Sequence, residues 1–195
     1  MIFTSDNGSP GRDGTNMSGP TNSVRKFGHN PSHVYRGIKA DAWEGGHRVP
    51  FLARWPGHTT AGAVCDEAIC HVDLIATCAE ILEFNLPRNA GEDSFSFLPH
   101  LLNQPPDGPV REAVVHHSGN GMFAIRQGKW KFIDGVGSGG WSGKGDGLPG
   151  QLYNMQTDAT EQNNLYNDPD HGPIVRRLKN LLEQSKREGR TKPLN

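Results

Sequence analysis

The chain opens on an apolar run, Met1-Ile2-Phe3, that passes at once into Ser5-Asp6-Asn7-Gly8. A run this short, stopping at a polar turn, reads as a buried strand over residues 1–5 whose C-terminal end reaches a working site. A second run, Val49 to Trp55, is bounded by proline and glycine and reads the same way. Strands of this kind, if they come from a parallel sheet, need cover on both faces and partners on both edges. Between them, residues 8–30 form a polar stretch rich in Gly, Ser, Asn and Pro, a length at which loops are usually functional or disordered.

The rest of the chain changes style twice. In "HVDLIATCAEILEF", Leu74, Ile75, Cys78, Ile81 and Leu82 recur at helical spacing, with Asp73 in the first turn where the macrodipole favours an anion. This predicts a helix over 72–84 with Cys78 buried on its apolar side as an inert thiol. A Pro/Gly/Asn-rich link covers about 85–109. Then "REAVVHHS", "MFAIRQG" and "KWKFIDG" give short β-prone runs separated by glycine turns, an antiparallel meander with a hairpin corner at Gln127-Gly128. "QLYNM" suits one more strand, and the glycine-rich 135–150 segment is expected to be a flexible loop. Ile174, Val175, Leu178, Leu181 and Leu182 stripe a terminal helix that Pro173 starts and Gly189 stops. The division expected is 1–84, a linker over 85–109, and a small sheet-and-helix subdomain over 110–195.

Charge and composition exclude some classes. A net charge of −1 over 195 residues gives no nucleic-acid footprint and no polybasic membrane anchor. The longest apolar stretches fall well short of a membrane span, and no signal-peptide pattern opens the chain. Cys65, Cys70 and Cys78 have no zinc spacing, and a Cys65–Cys70 bridge is left open.

Asp6 and Asn7 place a carboxylate and an amide oxygen side by side at a strand end. Both are hard donors suited to calcium or magnesium, and equally they suit an Asn-Gly turn with Asp6 capping local amides. Lys39 sits in "YRGIKADAWEGGHRVPF" among Arg36, His47 and Arg48. It is either a fixed positive charge that grips an oxyanion or a solvated surface lysine. His116 and His117 end a β-prone run and either line a pocket or hydrogen-bond the turn. Trp43, Glu44, Arg48 and Trp55 read as braces.

"FTSDNG", "RGIKADAWEGGHRVPFLARWPG", "HVDLIATCAEIL", "FAIRQGKWKFI" and "QLYNMQTDATEQNNL" follow one another in the order and character of the sulfatase family, and the chain resembles arylsulfatase-type bacterial members. The resemblance implies an α/β fold, the C-terminal portion of an alkaline-phosphatase-like sulfatase with a small antiparallel sheet and a terminal helix. It implies sulfate-ester hydrolysis of a sulfated small molecule or glycan in a periplasmic or secreted setting. Asp6 and Asn7 would be metal ligands, for calcium in preference to magnesium. Lys39 would be catalytic and would bind the sulfate; His117 and His116 would line the substrate pocket.

Family members use a formylglycine made from Cys or Ser in a C/S-x-P/A-x-R setting. None of the three cysteines has that setting, and no serine offers it. The 195 residues are therefore expected to be inactive alone, with residues 1–84 deficient in core. A phosphoester or phosphonate hydrolase of the same superfamily, and a non-catalytic or truncated module binding sulfated glycans, stand as alternatives.

Overall fold

A computed structural model describes residues 1–10 and 28–193. Most of the polar loop expected over 8–30 falls outside them. The chain divides into two compact units: residues 1–3, 51–114 and 183–195 form one, and residues 4–50 and 115–182 the other. These units run differently from the division expected at 84 and 110.

In the first unit, β2 (Phe51–Ala53) pairs with β1 (Ile2–Thr4, begun in this unit) as a two-stranded sheet. Both strands fall within the runs expected to be buried, yet Ile2, Phe3 and Leu52 are exposed. The two-stranded sheet leaves their faces uncovered. Phe51 packs edge-on against Phe97, with ring centroids 5.5 Å apart.

Helix α2 (Asp73–Ile81) is shorter than expected and turned the other way. Its buried residues are Asp73, Ala76, Thr77 and Ala79, whereas Ile75, Ile81 and Leu82 are exposed and so is Cys78. The inert buried thiol expected at Cys78 is therefore corrected. The reason is polar. Asp73 Oδ1 accepts from Phe95 N at 3.0 Å, Thr77 Oγ1 accepts from Phe97 N at 3.1 Å, and Ser94 Oγ accepts from Ala76 N at 2.9 Å. The segment leading to α3 (Leu98–Leu101) is thereby stapled to the small, polar side of α2. Arg111 pairs with Asp73, and both are buried. All three cysteines are free, so no Cys65–Cys70 bridge forms.

The second unit carries the meander. β3 (Val114–His117, entered from the first unit), β4 (Phe123–Gln127), β5 (Trp130–Ile133) and β6 (Gln151–Asn154) lie in that order, with β4/β5 and β5/β6 antiparallel. Gln127 faces Trp130 across the expected corner, and Gly128 takes a positive φ of 54° there. The register sorts the side chains. Ile125, Phe132 and Leu152 share one row and are all buried, and Tyr166 stacks over Phe132. The opposite face carries Ala124, Ile133 and Tyr153, which form a core with Ala42, Trp43 and Met155. That face also presents Lys131.

A 3₁₀ turn (Pro169–His171) leads into α4 (Gly172–Glu188), which buries Leu178 and Leu182 from its apolar stripe and stops at Gly189, φ 66°. No helix among the described residues is long and apolar enough to cross a membrane.

Candidate functional site

Asp6, Asn7, Lys39, His116 and His117 all belong to the second unit. After β1 the chain turns through Ser5–Gly8, where Ser5 Oγ donates to Asn7 O at 3.0 Å and Asn7 Nδ2 donates to Gly8 O at 3.2 Å. This turn is pressed onto the segment 36–48. Gly8 N donates to Gly46 O at 3.0 Å, and Lys39 N donates to Ser9 O at 2.8 Å. A Cβ on Gly8 would lie 1.9 Å from Gly45 O, so only glycine permits the approach. Asp6 is exposed, Asn7 and Lys39 are half-buried, and neither the Asp6 carboxylate nor the Lys39 ammonium has a partner among the described residues. The structure thus brings the Asp6-Asn7 turn and the Lys39 loop together through their main chains.

Lys39 is followed by Ala40 in the left-handed region, φ 76°, a conformation an L residue keeps only when its surroundings hold it. Asp41 supplies the hold. Its Oδ2 accepts from Ile38 N at 2.8 Å, its Oδ1 accepts from Trp141 N at 2.7 Å and Ser142 N at 3.2 Å, and Ser142 Oγ donates to Oδ2. Ala40 O accepts from Gly119 N at 2.7 Å, and Ser138 O from Ala42 N at 2.8 Å. The start of the glycine-rich segment expected to be a flexible loop is in fact tied down here.

Behind the loop lies a buried ionic cluster. Short helix α1 (Glu44–His47) places Glu44 Oε1 at 2.9 Å from Lys131 Nζ, and Glu161 Oε1 lies 2.7 Å from the same ammonium. Glu161 Oε2 also accepts from Glu44 N at 2.7 Å. Lys131 Nζ is 3.1 Å from His47 Nε2, and the His47 ring packs at a tilt of 42° against His116 with centroids 3.9 Å apart. Burial pulls the Glu44 carboxyl up, but Lys131, Arg126 and Arg48 outweigh it and hold it below the ordinary value. Glu161, with less help, is pushed up by burial. Burial, reinforced by the charges around them, pushes His47 well down and His116 down to about 3, so both rings are neutral at pH 7.

Trp43 completes the brace. Its Nε1 donates to Gln151 Oε1 at 2.8 Å, the same oxygen accepts from Tyr153 OH at 2.8 Å, and the Arg36 guanidinium lies 3.7 Å over the indole. Arg36 Nη1 donates onward to Glu161 O at 2.7 Å. Of the two expected pocket histidines, His117 is exposed at the end of β3, with Nδ1 2.8 Å from Ser118 O. His116 sits half-buried against His47, its Nε2 3.2 Å from Ala42 O. Sequence reading missed Asp41, Lys131 and Glu161. One signal was available for Lys131: a lysine on the inward row of an otherwise apolar strand asks for a buried counter-charge.

Known proteins share this fold. A Bacteroides thetaiotaomicron 6S-sulf protein, solved in work on the metabolism of multiple glycosaminoglycans, superposes with TM-score 0.79 at 34% identity, over 95% of this chain and 38% of that one. A phosphonate monoester hydrolase of Agrobacterium radiobacter shares the fold, TM-score 0.61 at 20% identity, over 96% of this chain and 34% of its own. The fold is that of the C-terminal portion of an alkaline-phosphatase-like sulfatase. An N-acetylgalactosamine-6-O-sulfatase of Bacteroides thetaiotaomicron is 35% identical over 191 residues, 95% of this chain and 36% of that protein. Residues 39–188 match the family described as N-sulphoglucosamine sulphohydrolase, C-terminal, and the chain belongs to that sulfatase family. It spans a little over a third of the length of these relatives.

Proposed function

We propose that this chain supplies the Asp6-Asn7-Lys39 side of a site that hydrolyses sulfate esters of a sugar. The observation that carries the reading is the pair of main-chain bonds, Lys39 N to Ser9 O and Gly8 N to Gly46 O, which seat two oxygen donors and an ammonium on one scaffold. Asp6 and Asn7 fit a divalent cation, calcium in preference to magnesium. The Asp6 carboxylate faces solvent, and the Asn7 amide nitrogen is occupied by Gly8 O, which leaves its oxygen to ligate. The cation, when bound, would supply Lewis-acid charge to the reaction.

The residues of this chain have the remaining tasks. Lys39 holds a sulfate oxygen and opposes the charge that grows as the S–O bond breaks. His117, at the open end of β3, meets the sugar side of the ester, with His116 behind it. Asp41 and the Glu44–Lys131–Glu161 cluster keep the Lys39 loop in one conformation. The expected substrate class is a sulfated sugar, in line with the name of the N-acetylgalactosamine-6-O-sulfatase relative.

Two ligands fall short of the roughly six to eight oxygens that calcium takes. Among the described residues no cluster of three or more His, Cys, Asp or Glu is placed to hold a metal ion. With no C/S-x-P/A-x-R motif in its sequence either, the 195-residue chain should not turn over sulfate esters alone. Calorimetric titration with calcium and with inorganic sulfate tests the reading. Weak calcium binding lost in Asp6→Ala, and sulfate binding lost in Lys39→Ala, are expected. Sulfate affinity untouched by Lys39→Ala overturns the sulfate grip, and turnover by the 195 residues overturns the expected inactivity.

A further inference from the structure

The tryptophans of this protein have different fates. Trp43 is buried in the core, Trp55 packs on His58 with centroids 4.0 Å apart, and Trp130 lies edge-on to His171 at 5.3 Å. Trp141 is the exposed one among the described residues, 48% accessible, and it stands in a loop whose neighbours are glycines and serines. A single exposed aromatic is ordinary on a protein surface. What sets Trp141 apart is how its main chain is held.

Its amide donates to Asp41 Oδ1, while the other oxygen of that buried carboxylate takes the amide of Ile38, the residue before Lys39. One carboxylate therefore fixes the backbone of Trp141 relative to the backbone that presents Lys39. The neighbours repeat the tie. Ser142 bonds Asp41 through both N and Oγ, and Ser138 O takes Ala42 N. Gly140 approaches so closely that a Cβ there would lie 2.3 Å from Ala40 O. Asn120, exposed on the next turn, donates its amide to Gly139 O at 3.2 Å and brings a side-chain carboxamide to the same neighbourhood.

We propose that Trp141 is a sugar platform: the apolar face of a pyranose ring stacks on its indole while the ring's sulfate reaches Lys39. The chemistry matches on each part. An indole offers a broad apolar surface with only two torsions to freeze, and a backbone already fixed lowers the ordering cost further. A carboxamide donates to and accepts from ring hydroxyls or an N-acetyl group. The ligand class is thus a sulfated hexose or hexosamine, as opposed to a free sulfate ion. The assignment rests on Lys39 as the sulfate grip.

The test is an NMR titration of the 195-residue protein with N-acetylgalactosamine 6-sulfate, with inorganic sulfate and with unsulfated N-acetylgalactosamine, following the indole N–H signals. The Trp141 signal, identified by its loss in Trp141→Phe, should move with the sulfated sugar and stay put with inorganic sulfate. Trp141→Ala should weaken the sulfated sugar about tenfold, and Trp141→Phe by under about threefold, with sulfate affinity unchanged in both. Sugar affinity unaltered in Trp141→Ala, a matching loss of inorganic sulfate, or no binding of the sulfated sugar by the unaltered chain would each overturn the platform. Sulfate affinity unaltered in Lys39→Ala would instead overturn the sulfate grip, so the two failures are read separately.

Discussion

Lys131 and Glu161 form a buried ion pair with 2.7 Å between Nζ and Oε1, and neither side chain is accessible to solvent. Glu44 shares the same ammonium at 2.9 Å. One cation thus neutralises two acids from distant parts of the chain, and the α1 segment, β5 and the loop after β6 are joined by it.

Removing that cation should be costly. Lys131→Met takes the ammonium from Glu161 and leaves Glu44 only Arg48 and Arg126, and breaking a buried pair from one side costs about 3–5 kcal/mol. Urea unfolding followed by near-UV circular dichroism measures it. The triple replacement Lys131→Met, Glu44→Gln, Glu161→Gln should recover much of the loss, because no uncompensated charge is left inside. A single variant as stable as the parent would contradict the geometry.

Acid should weaken this unit through its histidines. His116, ordinarily at 6.5, is held to about 3 by burial and then by Lys131, and His47 is lowered for the same first reason. Between those values the unfolded chain carries protons that the native fold refuses, so stability is full above about 6.5 and falls as pH drops below it. Glu44, lowered by its cations, adds to the loss below its ordinary 4.5. Glu161, raised, works the other way and favours the fold at the acid side. Urea midpoints at pH 7.5 and 5.0 should differ, with a smaller difference in His116→Gln; equal midpoints would refute the assignment.

Gln151 is a hub with no spare capacity. Its Oε1 takes Trp43 Nε1 and Tyr153 OH, and its Nε2 donates to Gly137 O at 2.7 Å and to Gly135 O at 3.1 Å. Gln151→Leu removes the partner of all four, at about 1–3 kcal/mol for each group left unsatisfied. A loss below about 1 kcal/mol in denaturant titration would show that water or rearrangement replaces the amide.

The three thiols should separate by reactivity. Cys65 and Cys78 are exposed, whereas burial raises the Cys70 thiol above its usual value despite Arg111 nearby. A coloured aromatic disulfide should titrate two thiols fast and the third slowly at neutral pH. Protection of Cys78 would restore the apolar-side reading of α2 over the structural one.

The meander and the terminal helix were legible because their patterns are local. Alternation across "FAIRQG" and "WKFI", with Gly128 at a corner, specifies a hairpin without reference to anything distant. Helix α2 shows where such reading stops. Its leucine and isoleucine stripe has the right period, but Asp73 and Thr77 collect the amides of a segment some twenty residues away, and that decides which side is covered. The core of the second unit was equally hidden, since Lys131, Glu44 and Glu161 meet only through tertiary contacts. The Asp6-Asn7 and Lys39 positions came from resemblance to a family; what the fold adds is the main-chain contact between their loops.

That contact has an evolutionary corollary. Where Gly8 meets Gly45 there are no side chains to lengthen or trim, so the interval between turn and loop is a property of bare polypeptide. Point substitution cannot tune it by degrees; it can only be kept or broken.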